Sequence, residues 1–335
     1  MNAENIRNKF NELRPFYIRL AKNIKEALET FMLEANISYL TVTYRIKDID
    51  SFIEKIERKN YKNPFEDIED ICGLRIICFY QKDVEKICSI INKEFSIKES
   101  VDKEDLLNDD QFGYRSYHFI GKIKKNWLEA PNYRGLEELK AEIQVRTILM
   151  HAWAEIEHKL AYKQKIHIPS HLKRKLYRIS AKLEEADEQF EDIKIESEKY
   201  REKMISEARQ KGGEFDKEIK LNLDSLQAFL DFKFPGRKSD IESTRDLLNE
   251  LLENNLGFKE IINGYEKISS FLDDLEKETF KSKTKVKKED GWAQVGIVRN
   301  ILDLTNEKYY QSRGNLPDYV KEQKERWCKK INNKA

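Results

Sequence analysis

The chain has 335 residues, enough for one large or two medium domains, and its 39% apolar and 37% charged residues can build packed cores, which excludes disorder throughout. Lys plus Arg (62) nearly balances Asp plus Glu (61), so net charge gives no reason for bulk nucleic-acid or membrane binding, and any phosphate site must be a local patch. No apolar run reaches the roughly 20 residues that cross a bilayer. The chain opens without an apolar signal segment, and Cys72, Cys78, Cys88 and Cys328 contain no CxxC pair, so a soluble protein of the reducing cytoplasm is expected.

In chain order, Leu20, Ala21, Ile24, Leu28 and Phe31 recur at helical spacing from Tyr17, and Pro15 stands where that helix is predicted to begin. The runs ISYLTVTYRI and ICGLRIICFY read as buried strands, separated by an amphipathic helix around 51–59. A helix over 83–95 and strands at 95–101, 116–123 and 139–145 follow. This alternation predicts an α+β fold in which helices flank a mixed β-sheet. After Arg146 the pattern turns helical, through TILMHAWAEIEHKLAYK and then about 172–209. The Gly212–Gly213 pair marks the expected boundary between a first domain, 1–212, and an all-helical accessory or regulatory domain, 213–335. Within the latter, KSKTKVKK carries five lysines in eight residues and reads as a solvated loop.

Four clusters carry chemistry. Arg45 and Lys47 close one strand, and Ser51, Lys55 and Arg58 follow at i, i+4, i+7, on one helix face, a polar strip suited to a triphosphate. In FEDIEDICGLRI, Asp70 stands at a strand entrance. Arg75 sits within that apolar strand, where a charge needs an anion or an aromatic plane. In FGYRSYHFI, Tyr114, Ser116 and His118 alternate to one face, and a ring beside an imidazole suits a purine nucleotide. In LKAEIQVRT, Glu142, Gln144 and Arg146 share one strand face, opposite Ile143 and Val145. If Asp70 and Glu142 converge, they form a two-carboxylate cradle for Mg²⁺. His151, Glu155 and His158 repeat at helical spacing without an HExxH pattern or a fourth zinc ligand, and neither a Walker A loop nor GxGxxG is present.

In this order, RIK…S…K, DICGLR, GYRSYH and AEIQVRT…HAWAEIEHKLAYK resemble the synthetase domain of the RelA/SpoT family, over about residues 15–200. The resemblance implies a nucleotidyltransferase-like mixed sheet and transfer of the β,γ-pyrophosphate of ATP to the ribose 3′-oxygen of GDP or GTP. It implies that Arg45 and Arg75 sandwich the adenine and that Lys47, Ser51, Lys55 and Arg58 hold the ATP phosphates. Asp70 and Glu142 would bind Mg²⁺, with Glu142 also accepting the 3′-hydroxyl proton. Tyr114 would stack on the acceptor base, with His118, Gln144, Arg146 and His151 nearby. The segment before the GYRS turn departs from nucleotide-specific members, with Asp109 and Asp110 where lysines are usual, and His151 replaces a frequent Asn. Both features resemble the toxic branch of the family, some of whose members modify the 3′ end of tRNA. Lys163, Lys165, Lys173, Arg174, Lys175 and Arg178 are the residues that could contact such an RNA. No His-Asp hydrolase pattern appears, so synthesis without hydrolysis is expected. A homo-oligomer or a regulatory protein is the expected partner of the C-terminal region.

Overall fold

A computed structural model describes residues 3–102, 116–163, 170–282, 284–314 and 316–332. The chain divides into two compact units, Met1–Ile193 and Lys194–Ala335. The division falls inside one 41-residue helix, Ser170–Gln210. That helix ends just ahead of Gly212 and Gly213, the expected domain boundary, whose φ angles of +73° and +93° need glycine.

In the first unit, helix α1 (Ala3–Glu34) precedes strand β1 (Tyr39–Ile46), α2 (Ile49–Lys59), the single turn α3 (Pro64–Asp67) and β2 (Cys72–Cys78). Helix α4 (Gln81–Glu94) runs into β3 (Phe95–Asp102). After it come β4 (Tyr117–Ile123), two 3₁₀ turns, β5 (Ala141–Thr147), α5 (Ile148–Lys163) and α6 (Ser170–Gln210). The strands form one sheet in the order β1-β2-β5-β4-β3. The β2–β5 pair is parallel and the other three pairs are antiparallel, so the sheet is mixed, as the alternation of elements predicts.

Pro15 lies inside α1 and does not start it. A proline removes one backbone donor from a helix interior. Here Phe10 and Ile6, further upstream on the same helix, are buried in the core, and the Phe10 ring meets that of Phe52 at 5.1 Å. Burial of this apolar face holds the first turns in place. Phe52 in turn packs against Phe65 at 5.2 Å, which joins α1, α2 and α3 through three rings.

The strand pattern explains the core. Leu74 and Ile76 pair in register with Ile143 and Val145, and all four enter one apolar cluster with Leu20, Ile24 and Leu28 of α1 and Val84, Ile87 and Ile91 of α4. By pleat alternation the residues between them, Gly73, Arg75, Glu142 and Gln144, face the opposite side. That side carries the polar residues of the unit.

The second unit has its own core. Helices α7 (Leu223–Lys233), α8 (Ile241–Glu253), α9 (Phe258–Ile268), α10 (Leu272–Thr279), α11 (Gln294–Thr305), α12 (Glu307–Ser312) and α13 (Asp318–Asn332) are its α-helices among the described residues beyond α6. Phe229, Leu251, Ile261, Val298 and Tyr309 are fully enclosed, and the last turns of α6 contribute Met204 and Ala208 to the same cluster. Asn222 and Ser225 form a capping box that starts α7. A buried bidentate pair, Arg237 to Glu276 at 2.6 and 2.9 Å, leaves no room for a Cβ at Gly291, whose position Glu276 Oε1 approaches to 2.3 Å. The described lysines of KSKTKVKK are exposed, and Lys285 pairs with Asp273 at 2.7 Å. No helix among the described residues is long and apolar enough to cross a membrane.

Because Phe52 is completely enclosed between two other rings, Phe52→Ala should destabilise the first unit by about 3–5 kcal/mol. Denaturant unfolding followed by amide exchange in the sheet measures this, and a cost below about 1 kcal/mol would contradict the packing described.

Candidate active site

The polar side of the sheet is built by register. Arg45 pairs with Gly73 and Thr43 with Arg75 across β1 and β2, Gly73 with Glu142 and Arg75 with Gln144 across β2 and β5, and His118 with Gln144 across β4 and β5. A cavity of about 560 Å³ opens on this side. Among the described residues its wall comprises Thr43, Tyr44, Arg45, Lys47, Asp70, Gly73, Leu74, Arg75, Glu142, Gln144, Glu155 and His158. The expected residues Arg45, Lys47, Asp70, Arg75, Glu142 and Gln144 are therefore brought to one place from three strands and their approaches.

Asp70 sits two residues ahead of β2, where the backbone turns in, and the Lys47 N–H just beyond β1 donates to the Ile71 carbonyl at 2.9 Å. This holds Lys47 beside Asp70. Its Nζ donates to Asp70 Oδ2 at 2.8 Å, and Lys55 Nζ, reaching down from α2, lies 3.0 Å from Oδ1. The second contact is an ion pair without hydrogen-bond alignment, so Oδ1 is buried with no hydrogen-bond partner. Burial pushes the Asp70 carboxyl up, but the two lysines at its oxygens outweigh it and hold the group below its ordinary range.

Glu142 is held from behind. His118 Nδ1 lies 2.8 Å from Glu142 Oε1, and Ser116 Oγ lies 2.9 Å from His118 Nε2. Gln144 also helps lower the Glu142 carboxyl, and Arg146 Nη2 donates to Gln144 Oε1 at 3.0 Å, which leaves the Gln144 amide hydrogens to face the carboxylate. Burial raises the Glu142 carboxyl, the His118 contact more than compensates, and the nearby Asp70 charge opposes it; the net direction is down. Arg146 is itself buried, with Nε unpartnered, and burial followed by repulsion from Arg75 pushes it down to about 10, still a cation at neutral pH.

Arg75 finds an anion that sequence spacing does not reveal. Its Nη1 donates to Glu155 Oε1 at 2.9 Å on α5 and lies 3.5 Å from His151 Nδ1. Burial and the Arg75 charge push the His151 imidazole below its ordinary value. His151 and Glu155 are thus organised around a cation, and no group of three or more metal-ligating side chains occurs among the described residues. In sequence Glu155 and His158 show only a zinc-like spacing; the signal that points to a partner such as Glu155 is Arg75 within an apolar strand.

Other expected residues are placed apart. Ser51 caps into α2, its N–H donating to Asp48 at 2.8 Å, and Arg58 is exposed at the end of that helix. Neither belongs to the cavity wall. Arg45 is largely exposed and pairs loosely with Asp48 at 3.8 Å. Lys173, Arg174, Lys175 and Arg178 are exposed on α6. Tyr114, Asp109, Asp110 and Lys165 lie outside the described residues, as does the side chain of Lys163.

Two ionised carboxylates amid cations suit a polyanion bridged by a hard cation. Mg²⁺ binds through one or two carboxylates while keeping waters and phosphate oxygens, and Asp70 with its unbonded buried oxygen, together with Glu142, fits that requirement. The mixed sheet thus brings two carboxylates and several cations to one cavity, an arrangement suited to a polyanion.

Residues 44–167 match the family model described as the region found in RelA/SpoT proteins. Over 159 residues the chain is 34% identical to the GTP pyrophosphokinase YjbM of Bacillus subtilis, covering 46% of this chain and 72% of that protein. The GTP pyrophosphokinase YwaC of the same organism is 32% identical over 156 residues, covering 45% and 72%. The crystal structure of the small alarmone synthetase 1 from Bacillus subtilis superposes with a TM-score of 0.49 at 30% identity, covering 57% of this chain and 99% of that one. The chain belongs to the RelA/SpoT family.

The lowered Asp70 carboxyl links to stability with a definite sign. Its stabilisation by the two lysines is present above the unfolded value of about 3.9 and is lost as pH falls through the lower folded value. Between about pH 5 and 2 the wild-type protein should lose stability more steeply than Asp70→Asn. Equal slopes in denaturant unfolding would mean that the lysine pairing contributes nothing.

Proposed function

We propose that the first unit is an ATP-dependent pyrophosphokinase that transfers the β,γ-pyrophosphate of ATP to the 3′-hydroxyl of GDP or GTP. The observation that carries this reading is the pair Asp70 and Glu142, both held ionised on the wall of one cavity that also presents Lys47, Arg45 and Arg75. The naming of the two Bacillus subtilis relatives as GTP pyrophosphokinases supports the same choice.

In this reading the acceptor 3′-oxygen attacks the β-phosphorus of ATP, the bond from that phosphorus to the α,β-bridging oxygen breaks, and AMP leaves. Glu142 accepts the proton of the attacking hydroxyl. Lys47 and Lys55, now spent on Asp70, turn to the phosphates when a cation takes over that carboxylate. Arg58 and Ser51 extend the phosphate contacts along α2, and Arg45 and Arg75 flank the adenine. Gln144, Arg146, His151 and Tyr114 serve the acceptor. Asp70 and Glu142 would hold Mg²⁺, which would supply charge neutralisation for the transferred group. Such transfer depends mainly on in-line positioning and charge neutralisation, which an array of fixed charges supplies.

A second acceptor is favoured by one feature of the sequence, the acidic approach DKEDLLNDDQFGYRS, which repels a free polyphosphate. In that reading the same transfer falls on the 3′ end of tRNA and inhibits translation, with the exposed Lys173, Arg174, Lys175 and Arg178 available to RNA phosphates.

Incubation with Mg²⁺ and γ-labelled ATP, offering GDP, GTP and deacylated tRNA separately, decides between them. Label on a guanine nucleotide is the expected outcome, and label on tRNA alone would assign the second reading. Glu142→Gln should lower transfer at least about 100-fold while ATP binding stays within about threefold. Unchanged turnover in that variant would overturn the proposed role.

A further inference from the structure

The cavity wall does not include His118, yet this imidazole touches the carboxylate that the proposed reaction uses as its base. His118 is 7% exposed and Ser116 6% exposed. Both ring nitrogens are engaged within the protein, Nδ1 with Glu142 Oε1 at 2.8 Å and Nε2 with Ser116 Oγ at 2.9 Å. An ionised carboxylate only accepts hydrogen bonds, so the hydrogen on this contact belongs to Nδ1. In the neutral ring Nε2 is then an acceptor, and the Ser116 hydroxyl is the group that donates to it. Strand alternation brings the three together: Ser116 and His118 are two residues apart on one side of the chain, and His118 pairs with Gln144, two residues from Glu142 on β5.

We propose that His118 is a positioning residue for transfer: Ser116 fixes the imidazole in the Nδ1–H tautomer, and His118 thereby holds Glu142 Oε1 and turns the other oxygen, Oε2, to the acceptor hydroxyl. His118 in this role does not touch ATP or acceptor. Gln144, with its own oxygen taken by Arg146, steadies the same carboxylate from the neighbouring position. The arrangement gives the base a fixed direction before any ligand arrives, the function that supporting hydrogen bonds perform behind reacting groups. It also separates this imidazole from the acceptor-contact role that family resemblance suggests for it.

The inference rests on the pyrophosphokinase reading, and two measurements keep the two apart. Turnover of the full chain is compared for wild type, His118→Ala, His118→Asn and Ser116→Ala, with whichever acceptor the wild type uses. His118→Ala should lower kcat about 10- to 100-fold with KM for ATP and acceptor within about twofold. His118→Asn, whose amide can donate from near the Nδ1 position, should recover most of the loss. Ser116→Ala should give a smaller drop of the same kind. A raised acceptor KM with kcat intact in His118→Ala, without rescue by asparagine, would overturn the proposal in favour of direct acceptor contact. The second measurement needs no activity. Imidazole ¹⁵N spectra of the wild-type chain without ligands should show His118 protonated at Nδ1; an Nε2–H tautomer in the wild type sinks the proposal. Absence of transfer to every acceptor would refute the enzyme reading, and with it the positioning role in transfer, whatever the spectra report of the hydrogen-bond chain.

Discussion

The parallel pairing of β2 with β5 is the constraint on which the site depends. It sets Gly73 opposite Glu142 and Arg75 opposite Gln144, while Leu74 and Ile76 meet Ile143 and Val145 on the other side. A slip of one residue would reverse the faces of one strand, burying Glu142 and exposing Ile143. The apolar residues therefore enforce the geometry of the polar ones. Asp70, just ahead of β2, reaches the cavity only because that strand enters the sheet at this register.

Around the pair of carboxylates the charges are arranged in opposition. Asp70 carries two lysines, Glu142 lies against His118, and Arg75 is drawn aside to Glu155. Each charge is compensated within the protein, which keeps a cavity this rich in ionised groups compatible with a folded sheet. The same compensation makes the cations available in fixed positions. A polyanion entering with a hard cation exchanges partners with groups already in place, and little reorganisation is required of the protein.

The helical unit obeys different physics. Its core of Leu, Ile and Phe is assembled from amphipathic helices, of which α7, α8 and α12 are started by local caps at Asn222, Asp240 and Asn306. Ion pairs such as Arg237 with the buried Glu276, and the half-buried Arg299 with Glu250, tie loops and helices together. None of these residues is ordered along the sequence in a way that announces a chemistry. The lysine-rich stretch, conspicuous in composition, is a solvated segment in the described residues.

By itself the sequence determined the elements and their faces. Period-two alternation in LRIIC and EIQVR marked which residues are core and which are polar, and the placement of Arg75 and Glu142 followed from it. Helix spacing placed Lys55 on the side of α2 that meets Asp70. Local pattern misplaced the start of α1, because proline's lost hydrogen bond is visible in sequence whereas the burial of Ile6 and Phe10 that outweighs it is not. What only the tertiary structure decided were partnerships across long separations: Glu155 for Arg75, 80 residues away, Asp187 for Thr147, and His118 for Glu142. Spacing along a chain reports which face a side chain occupies, but an ion pair or hydrogen bond is a distance in space, and that distance is set only when the sheet register and the helix packing close together.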